Sequence, residues 1–353
     1  VEAVENAHQR GFSRAVLIPQ EVDQLFETLQ RLQADGLSVV FISHKLEEVM
    51  HISGGVTVLR DGKVMGTVNT ADTTQRELAR MMVGRETFGV RREGTDEIGD
   101  PVLRLEGLSA LDDRELPALR EVSLTVCAGE ILGIAGVSGN GQKELSETVC
   151  GVRPPSGGHI FVGNEDVTAA GPQELDAAGV GRIPQDRHAG VIGELTVAEN
   201  VALQRLGEFT KGGIIDRQAV SEYAQGLIEQ FQIKASLGDR ARTLSGGNLQ
   251  KLILARVLSR EPKVVIAPQP TRGLDVGATE YVRTQLLEQR TRGAAVMLIS
   301  EDLEEILALS DRIAVMYEGE IVGIVPTRDA DEEHLGLMMS GSLKERPDVA
   351  AET

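Results

Sequence analysis

Two glycine-containing runs carry the residue types that handle phosphate. Ser245-Gly246-Gly247-Asn248-Leu249-Gln250 leads into a helix predicted over Leu249 to Leu258 and ending at Arg260. A hydroxyl, bare backbone N–H groups and the positive end of a helix dipole meet there, which suits an anion. A run of this type also serves as a plain helix cap. Further upstream, Gly136-Val137-Ser138-Gly139-Asn140-Gly141-Gln142-Lys143-Glu144 follows the apolar stretch Ile131-Leu132-Gly133-Ile134-Ala135. Glycines so spaced let a backbone wrap closely around phosphate oxygens, or simply turn a strand into a helix. In phosphate loops of this spacing the last glycine is followed by a Lys and then a Ser or Thr; here Gln142 and Lys143 stand in those places. A charge-assisted hydrogen bond contributes about 1.5–3 kcal/mol against about 0.5–1.5 for a neutral one, so Gln142 lowers nucleotide affinity roughly tenfold or more. One helical step turns a side chain by about 100°, so Lys143 is badly aimed to replace its neighbour. Backbone N–H groups are left as the main phosphate ligands.

The elements that must position these loops are legible as patterns. Ile131 to Ala135, Val264 to Ala267 and Val296 to Ser300 are continuous apolar runs, read as strands covered on both faces. Val122, Leu124 and Val126 alternate as an edge-type strand, and a helix follows the loop at Gly136. Strand, glycine loop, helix and later buried strands predict a P-loop type α/β core. Thr196 to Arg242 is rich in helical pattern and is a candidate helical subdomain. Nearer the start, Val22, Leu25, Phe26, Leu29 and Leu32 form a helical stripe behind Pro19, and Ser38 to Ser43 reads as a buried strand. Val56 to Leu59, the Asp61-Gly62 turn and Val64 to Val68 read as a hairpin.

With 353 residues the chain has room for two cores. Its net charge of −18, from 36 basic and 54 acidic residues, argues against a broad nucleic-acid-binding face. Two cysteines, Cys127 and Cys150, do not make a disulfide framework and point to a reducing compartment. No apolar run reaches the roughly 20 residues that span a bilayer. The histidines His8, His51, His159, His188 and His334 lack metal-ligand spacing, and no metal site is expected from them.

An internal repeat organises the whole. Phe41-Ile-Ser-His-Lys-Leu-Glu-Glu48 recurs as Leu298-Ile-Ser-Glu-Asp-Leu-Glu-Glu305, an offset of 257 residues (298 minus 41). The offset then continues without gaps through Ser53 and Ser310, Val58 and Val315, Gly62 and Gly319, to Met81-Met82 and Met338-Met339. Residues 15 to 84 thus read as the tail of a first copy. The same offset puts that copy's counterparts of Ser245 and Gly136 at −12 (245 minus 257) and −121 (136 minus 257), before Val1. The expected organisation is 1–84 as the C-terminal part of a first unit, a polar linker 85–101, a complete second unit 102–342, and a disordered tail 343–353.

Taken together, these motifs resemble those of ATP-binding cassette (ABC) proteins, whose signature the run Leu244 to Gln250 matches closely. The resemblance covers residues 15 to about 342. It implies a P-loop NTPase cassette: a mixed core sheet flanked by helices, an antiparallel β subdomain and a helical subdomain bearing the signature. Gly136 to Glu144 then correspond to Walker A, with Gly136, Gly139, Asn140, Gly141, Gln142, Lys143 and Glu144 as ATP-binding positions. Val264-Val-Ile-Ala267-Pro268-Gln269-Pro270-Thr271-Arg272-Gly273-Leu274-Asp275 corresponds to Walker B and the D-loop. Pro268 stands where the metal-orienting Asp belongs and Gln269 where the catalytic Glu belongs; Pro268 cannot bind Mg²⁺, and a neutral Gln269 cannot act as a general base. Gln185 occupies the Q-loop place and Asp275 the D-loop place. Glu301 replaces the switch His, which the first copy keeps as His44, an expected γ-phosphate contact. By the same offset the first copy's Walker B pair falls on Gly11 and Phe12, neither a carboxylate.

The closest pattern is the tandem ATPase subunit of sugar-type importers, in the branch for nucleosides and simple sugars. In that family two cassettes pack head to tail, so the signature Ser245, Gly246, Gly247, Asn248 and Gln250 would read ATP held by another Walker loop. The implied cofactors are ATP and, at a consensus site of a longer polypeptide, Mg²⁺. The implied partners are integral-membrane permease subunits, a separate substrate-binding protein reached through them, and a second copy of the subunit, at the cytoplasmic face of the plasma membrane; no nucleic acid is implied. This chain alone is expected to be inactive as an ATPase, and a catalytically inactive nucleotide-binding or scaffolding remnant is the alternative. The acidic balance and short linker argue against a cassette protein acting on ribosomes or DNA.

Overall fold

The computed structural model describes residues 19–43, 46–60, 62–83, 89–92 and 98–343. The chain divides into two compact units, Val1–Phe88 and Gly89–Thr353.

In the first unit α1 (Pro19–Ala34) precedes α2 (Leu46–Ile52), a hairpin of β1 (Gly55–Arg60) and β2 (Lys63–Asn69), and α3 (Gln75–Val83). Phe26 is the buried centre of the α1 stripe; its ring stacks on His51 of α2 at 5.6 Å and meets Phe41 edge-on at 6.1 Å. Leu78 and Ala79 of α3 are buried with Val58 of β1. The hairpin pairs antiparallel from Gly55 opposite Asn69 to Arg60 opposite Lys63, as predicted; Asp61 of its turn lies outside the described residues.

The segment 38–43 departs from its sequence reading. It forms no strand, and Val40 and Ile42 are 89% and 93% exposed. An apolar run becomes a buried strand only where ladders on both edges satisfy its backbone, and no described strand flanks this one.

The second unit begins with two long strands, β3 (Pro101–Leu111) and β4 (Pro117–Cys127), then β5 (Ile131–Ala135), α4 (Gln142–Val149), β6 (Gly157–Val162), β7 (Glu165–Asp166), α5 (Pro172–Ala178) and β8 (Val180–Arg182). A helical region follows, with α6 (Val197–Ala202), a small hairpin of β9 (Thr210–Lys211) and β10 (Ile214–Ile215), α7 (Arg217–Gln230) and α8 (Gly246–Leu258). The chain then runs through β11 (Val264–Pro268), α9 (Val276–Thr291), β12 (Ala295–Ser300), α10 (Leu303–Leu309), β13 (Arg312–Tyr317), β14 (Glu320–Pro326) and α11 (Glu332–Met339).

Two sheets result. An antiparallel one has the order β4-β3-β6-β7, with β4 on the edge as its alternation predicted. The other has the order β14-β13-β5-β12-β11-β8, parallel except for β14. Every residue of β5, β11 and β12 is buried, because each central strand is covered on both faces. Leu132, Ile134, Ile266, Met297 and Ile299 pack toward the antiparallel sheet and Leu145 of α4. Ile131, Val265, Val296 and Leu298 pack on the opposite face with residues of α8, α9 and the helical region. The cysteines are free at the ends of β4 and α4, and burial pushes their thiols up, Cys127 to about 11 and Cys150 to about 12.

Residues from Gly89 onward belong to the second unit. Gly89 and Val90 donate backbone N–H bonds to the Glu280 carboxylate on α9 at 3.2 and 3.3 Å. Arg92 pairs with Asp311 at 3.1 Å, beside the buried Arg290–Asp311 pair. Two backbone amides and the Arg92 guanidinium are thus held by carboxylates of the second unit. Residues 85–88 and 93–97 of the predicted linker and 344–353 of the predicted tail lie outside the described residues.

Candidate functional site

Four loops gather at one edge of the mixed sheet. Parallel register places Ala135 of β5 beside Ser300 of β12, and Ile299 of β12 beside Pro268 of β11, while Arg182 of β8 lies beside Ile266 of β11. The carboxyl ends of four neighbouring parallel strands therefore emit, side by side, the Gly136 loop, the Glu301 turn, the Gln269 loop and the Gln185 loop. This is where open α/β sheets bind ligands.

The Gly136 loop is shaped by close contacts. A Cβ at Gly136 would fall 2.7 Å from Gln142 Nε2 and 2.8 Å from the Met316 carbonyl, and one at Gly141 would fall 2.6 Å from the Ala118 carbonyl. Gly141 also has φ 101°, a left-handed conformation at the start of α4 that suits glycine. It provides no side-chain cap, so the first-turn N–H groups of α4 face the loop without a side-chain acceptor. Gln142 is buried, and its Nε2 has no hydrogen-bond partner. An orphaned donor beside uncapped amides fits the oxygen of a phosphate.

Lys143 and Asn140 serve other ends. Lys143 is exposed, its Nζ 3.2 Å from Asp113 and 3.9 Å from Glu147. Asp113 also accepts from Arg153 at 2.6 Å, and these two cations hold its carboxyl below the ordinary range, Arg153 foremost. Asn140 accepts the Glu318 N–H on Oδ1 at 3.0 Å and the Gly319 N–H on its carbonyl at 3.0 Å, anchoring the loop to the β13–β14 turn. Gly139 has φ 91° with open space around it, and Glu144 is half-buried on α4.

The metal places are not met. Pro268 ends β11, Gln269 turns out of it with φ 48°, and its N–H donates to the Ile299 carbonyl at 2.7 Å. Lys143 lies where a hydroxyl ligand would be needed. Among the described residues no group of three His, Cys, Asp or Glu could hold a metal ion. The residues of this loop set fit phosphate and do not fit Mg²⁺.

The signature helix starts three residues before its predicted beginning. Ser245 is its N-cap, accepting the Asn248 N–H at 3.4 Å and the Asn248 Nδ2–H at 3.1 Å. Asn248 Oδ1 accepts the Lys234 N–H. Gly246 and Gly247 form the first turn, and buried Gln250 donates to the Pro270 carbonyl at 2.9 Å. Asp275 caps α9, accepting the Ala278 N–H at 2.8 Å. Gln185 and Glu301 are exposed. His44 lies outside the described residues, as do His8, Gly11 and Phe12.

Three side chains at this edge were not singled out by sequence. Arg187 donates Nη2–H to the Arg272 carbonyl at 2.7 Å. Thr271 donates its hydroxyl to Glu305 Oε1 at 2.7 Å. Glu305 is fully buried; burial pushes its carboxyl above the ordinary range, outweighing the Thr271 and Ser300 hydroxyls that favour the anion. The repeated Leu-Glu-Glu of the two copies was the available signal for Glu305.

Residues 119–272 match the family described as ABC transporter. The chain is similar to the glucose import ATP-binding protein TsgD13 of Haloferax volcanii, 50% identical over 93% of this chain and 60% of that protein. It is likewise similar to the nucleoside import ATP-binding protein NupA of Lactococcus lactis, 40% identical over 93% and 65%, and to the ribose import ATP-binding protein RbsA of Bacillus subtilis, 36% identical over 93% and 66%. The chain thus spans 60% to 66% of the length of these relatives. Among solved structures, a nucleotide-free ATP-binding cassette from an ABC transporter matches with TM-score 0.58 and 25% identity, over 67% of this chain and 95% of that one. A dimeric cassette bound to ADP and Pi shares the fold at TM-score 0.55 and 23% identity, over 65% and 100%. Among the described residues no helix is long and apolar enough to cross a membrane. With its glycine loop, signature helix and sheet edge in this arrangement, the chain carries an ATP-binding domain of the ABC transporter family, and its relatives are import ATP-binding proteins for sugars and nucleosides.

Proposed function

We propose that this chain belongs to the ATP-binding subunit of an importer for nucleosides or simple sugars, coupling ATP binding and hydrolysis to movement of a membrane permease. Within it, the second unit binds ATP on the backbone amides of Gly136 to Glu144 without hydrolysing it. Its signature, Ser245 to Gln250, serves a second ATP held by a different Walker loop, to which the first unit contributes His44. Mg²⁺ and turnover belong to that second site. The observation that carries the reading is a contrast within the second unit: α8 starts on a Ser cap and two glycines, whereas the charged, metal-binding and basic places of the loops after β5 and β11 hold Gln142, Pro268 and Gln269. The names of the relatives support the substrate class. The subunit acts at the cytoplasmic face with permease subunits, which receive solute from a separate binding protein, and with a second copy of itself. No nucleic acid is involved.

The test is ATP hydrolysis by the assembled transporter. Ser245→Ala and His44→Ala should each abolish it, because both complete one site, whereas Gln269→Ala should leave it within about twofold of the parent, an effect of only about 0.4 kcal/mol. Full activity in either of the first two variants overturns the head-to-tail assignment.

A further inference from the structure

The loop that leaves β11 is bonded in turn to each element around the sheet edge. Gln269 N–H donates to the Ile299 carbonyl of β12, the Pro270 carbonyl accepts from Gln250 of α8, and the Arg272 carbonyl accepts from Arg187 in the loop after β8. Thr271 completes the set through Glu305 of α10. Glu305 has no exposed surface, so its side chain cannot exchange Thr271 for water. It stands five residues after Ser300, whose backbone pairs with Ala135 at the root of the phosphate loop and whose hydroxyl accepts the Asp302 N–H at 3.1 Å. A contiguous route therefore runs from the phosphate loop through the end of β12, Glu305, Thr271 and Pro270 to Gln250 on the signature helix. In the first unit Ser43, the counterpart of Ser300, donates its hydroxyl to Glu48, the counterpart of Glu305, at 2.9 Å. In the second unit the same span is closed instead through Asp302, whose N–H is accepted by the Ser300 hydroxyl and whose Oδ1 accepts the Glu305 N–H at 3.4 Å, while the Glu305 carboxylate accepts from Thr271.

We propose that Glu305 is a positioning residue: through its hydrogen bond from Thr271 it ties the turn after β12 to the loop after β11, so that nucleotide on the Gly136 loop is felt at the start of the signature helix. This rests on the proposed reading that the Gly136 loop holds ATP. Contiguity alone does not establish coupling, so the test must read one segment while the ligand occupies another.

Amide hydrogen exchange on this chain, with and without saturating ATP, does so. In the parent, ATP should slow exchange in residues 136–145 and also, about fivefold or more, in residues 246–254. Thr271→Val and Glu305→Ala should keep the slowing at 136–145 with the same ATP midpoint but lose most of it at 246–254. Glu305→Gln, which retains a carbonyl acceptor for Thr271, should behave as the parent. Full slowing at 246–254 in Thr271→Val overturns the proposal, even if Glu305→Ala fails to fold. So does Glu305→Gln behaving like Glu305→Ala, or slowing confined to 136–145 in the parent. No slowing at 136–145 in the parent instead removes the nucleotide reading beneath it.

Discussion

The segments 38–43 and 295–300 have the same apolar pattern at equivalent places in the repeat, yet their burial is opposite. Val40 and Ile42 are 89% and 93% exposed, while their counterparts Met297 and Ile299 are 0% and 1% exposed. The difference lies outside both segments: 295–300 is flanked by β5 and β11, whereas 38–43 has no described strand on either edge. What both copies keep in sequence is the serine at the segment's end with a glutamate five residues on; Ser43 donates to Glu48, while Ser300 accepts the Asp302 N–H. A hydrogen bond of short sequence range needs no neighbouring strand, whereas burial of a central strand does.

The sharpest way to break this comparison is to put a carboxylate on both sides of it. Ile299→Asp buries a charge between two packed layers and should destabilise the second unit by more than about 4 kcal/mol in urea unfolding, while Ile42→Asp should change stability by less than about 0.5 kcal/mol. Similar losses in the two variants would mean that 38–43 is also covered. Next in size, Gln142→Lys supplies the missing charge where Nε2 is now orphaned; calorimetry should show ATP binding tightened roughly tenfold. Hydrolysis should not appear, since Pro268 and Gln269 are unchanged.

Glu305 offers a finer test through pH. Burial raises the Glu305 carboxyl, so the folded state holds its proton more tightly than the unfolded chain does. The associated stability is fully present in acid and is lost as pH rises from the ordinary carboxylate range through the raised native value. Glu305→Gln has no such proton to lose, so its stability relative to the parent should increase with pH; a difference that stays flat contradicts the buried-acid account. The smallest effects belong to the serines. Ser300→Ala removes a buried hydroxyl and should cost about 0.5–1.5 kcal/mol, and Ser43→Ala, half-buried, less than that. Unfolding midpoints that rank them the other way would show that the Ser43–Glu48 bond outweighs burial of the Ser300 hydroxyl.

Continuous apolar runs made β5, β11 and β12 readable, because a strand covered on both faces leaves no polar position in its pattern. Glycine spacing located the loop between β5 and α4 for the same local reason. Ser245 was readable as a cap, though α8 begins earlier than its first apolar residue suggests. The bonds of Thr271 to Glu305 and Gln250 to Pro270 were not readable: each joins separate elements, and only the packing of α8 and α10 on the sheet brings them within reach. Lys143 illustrates a different limit. Helical geometry showed that it is badly aimed at phosphate, but its partner Asp113 sits on the distant turn between β3 and β4.

The central claim is that the Gly136 loop binds nucleotide through backbone amides and not through a metal. Titration calorimetry of ATP into this chain, in Mg²⁺ and again in a chelator, tests it directly. The account predicts binding in both with dissociation constants within about twofold, a difference of only about 0.4 kcal/mol. Binding that requires Mg²⁺, or is absent in both, would contradict it.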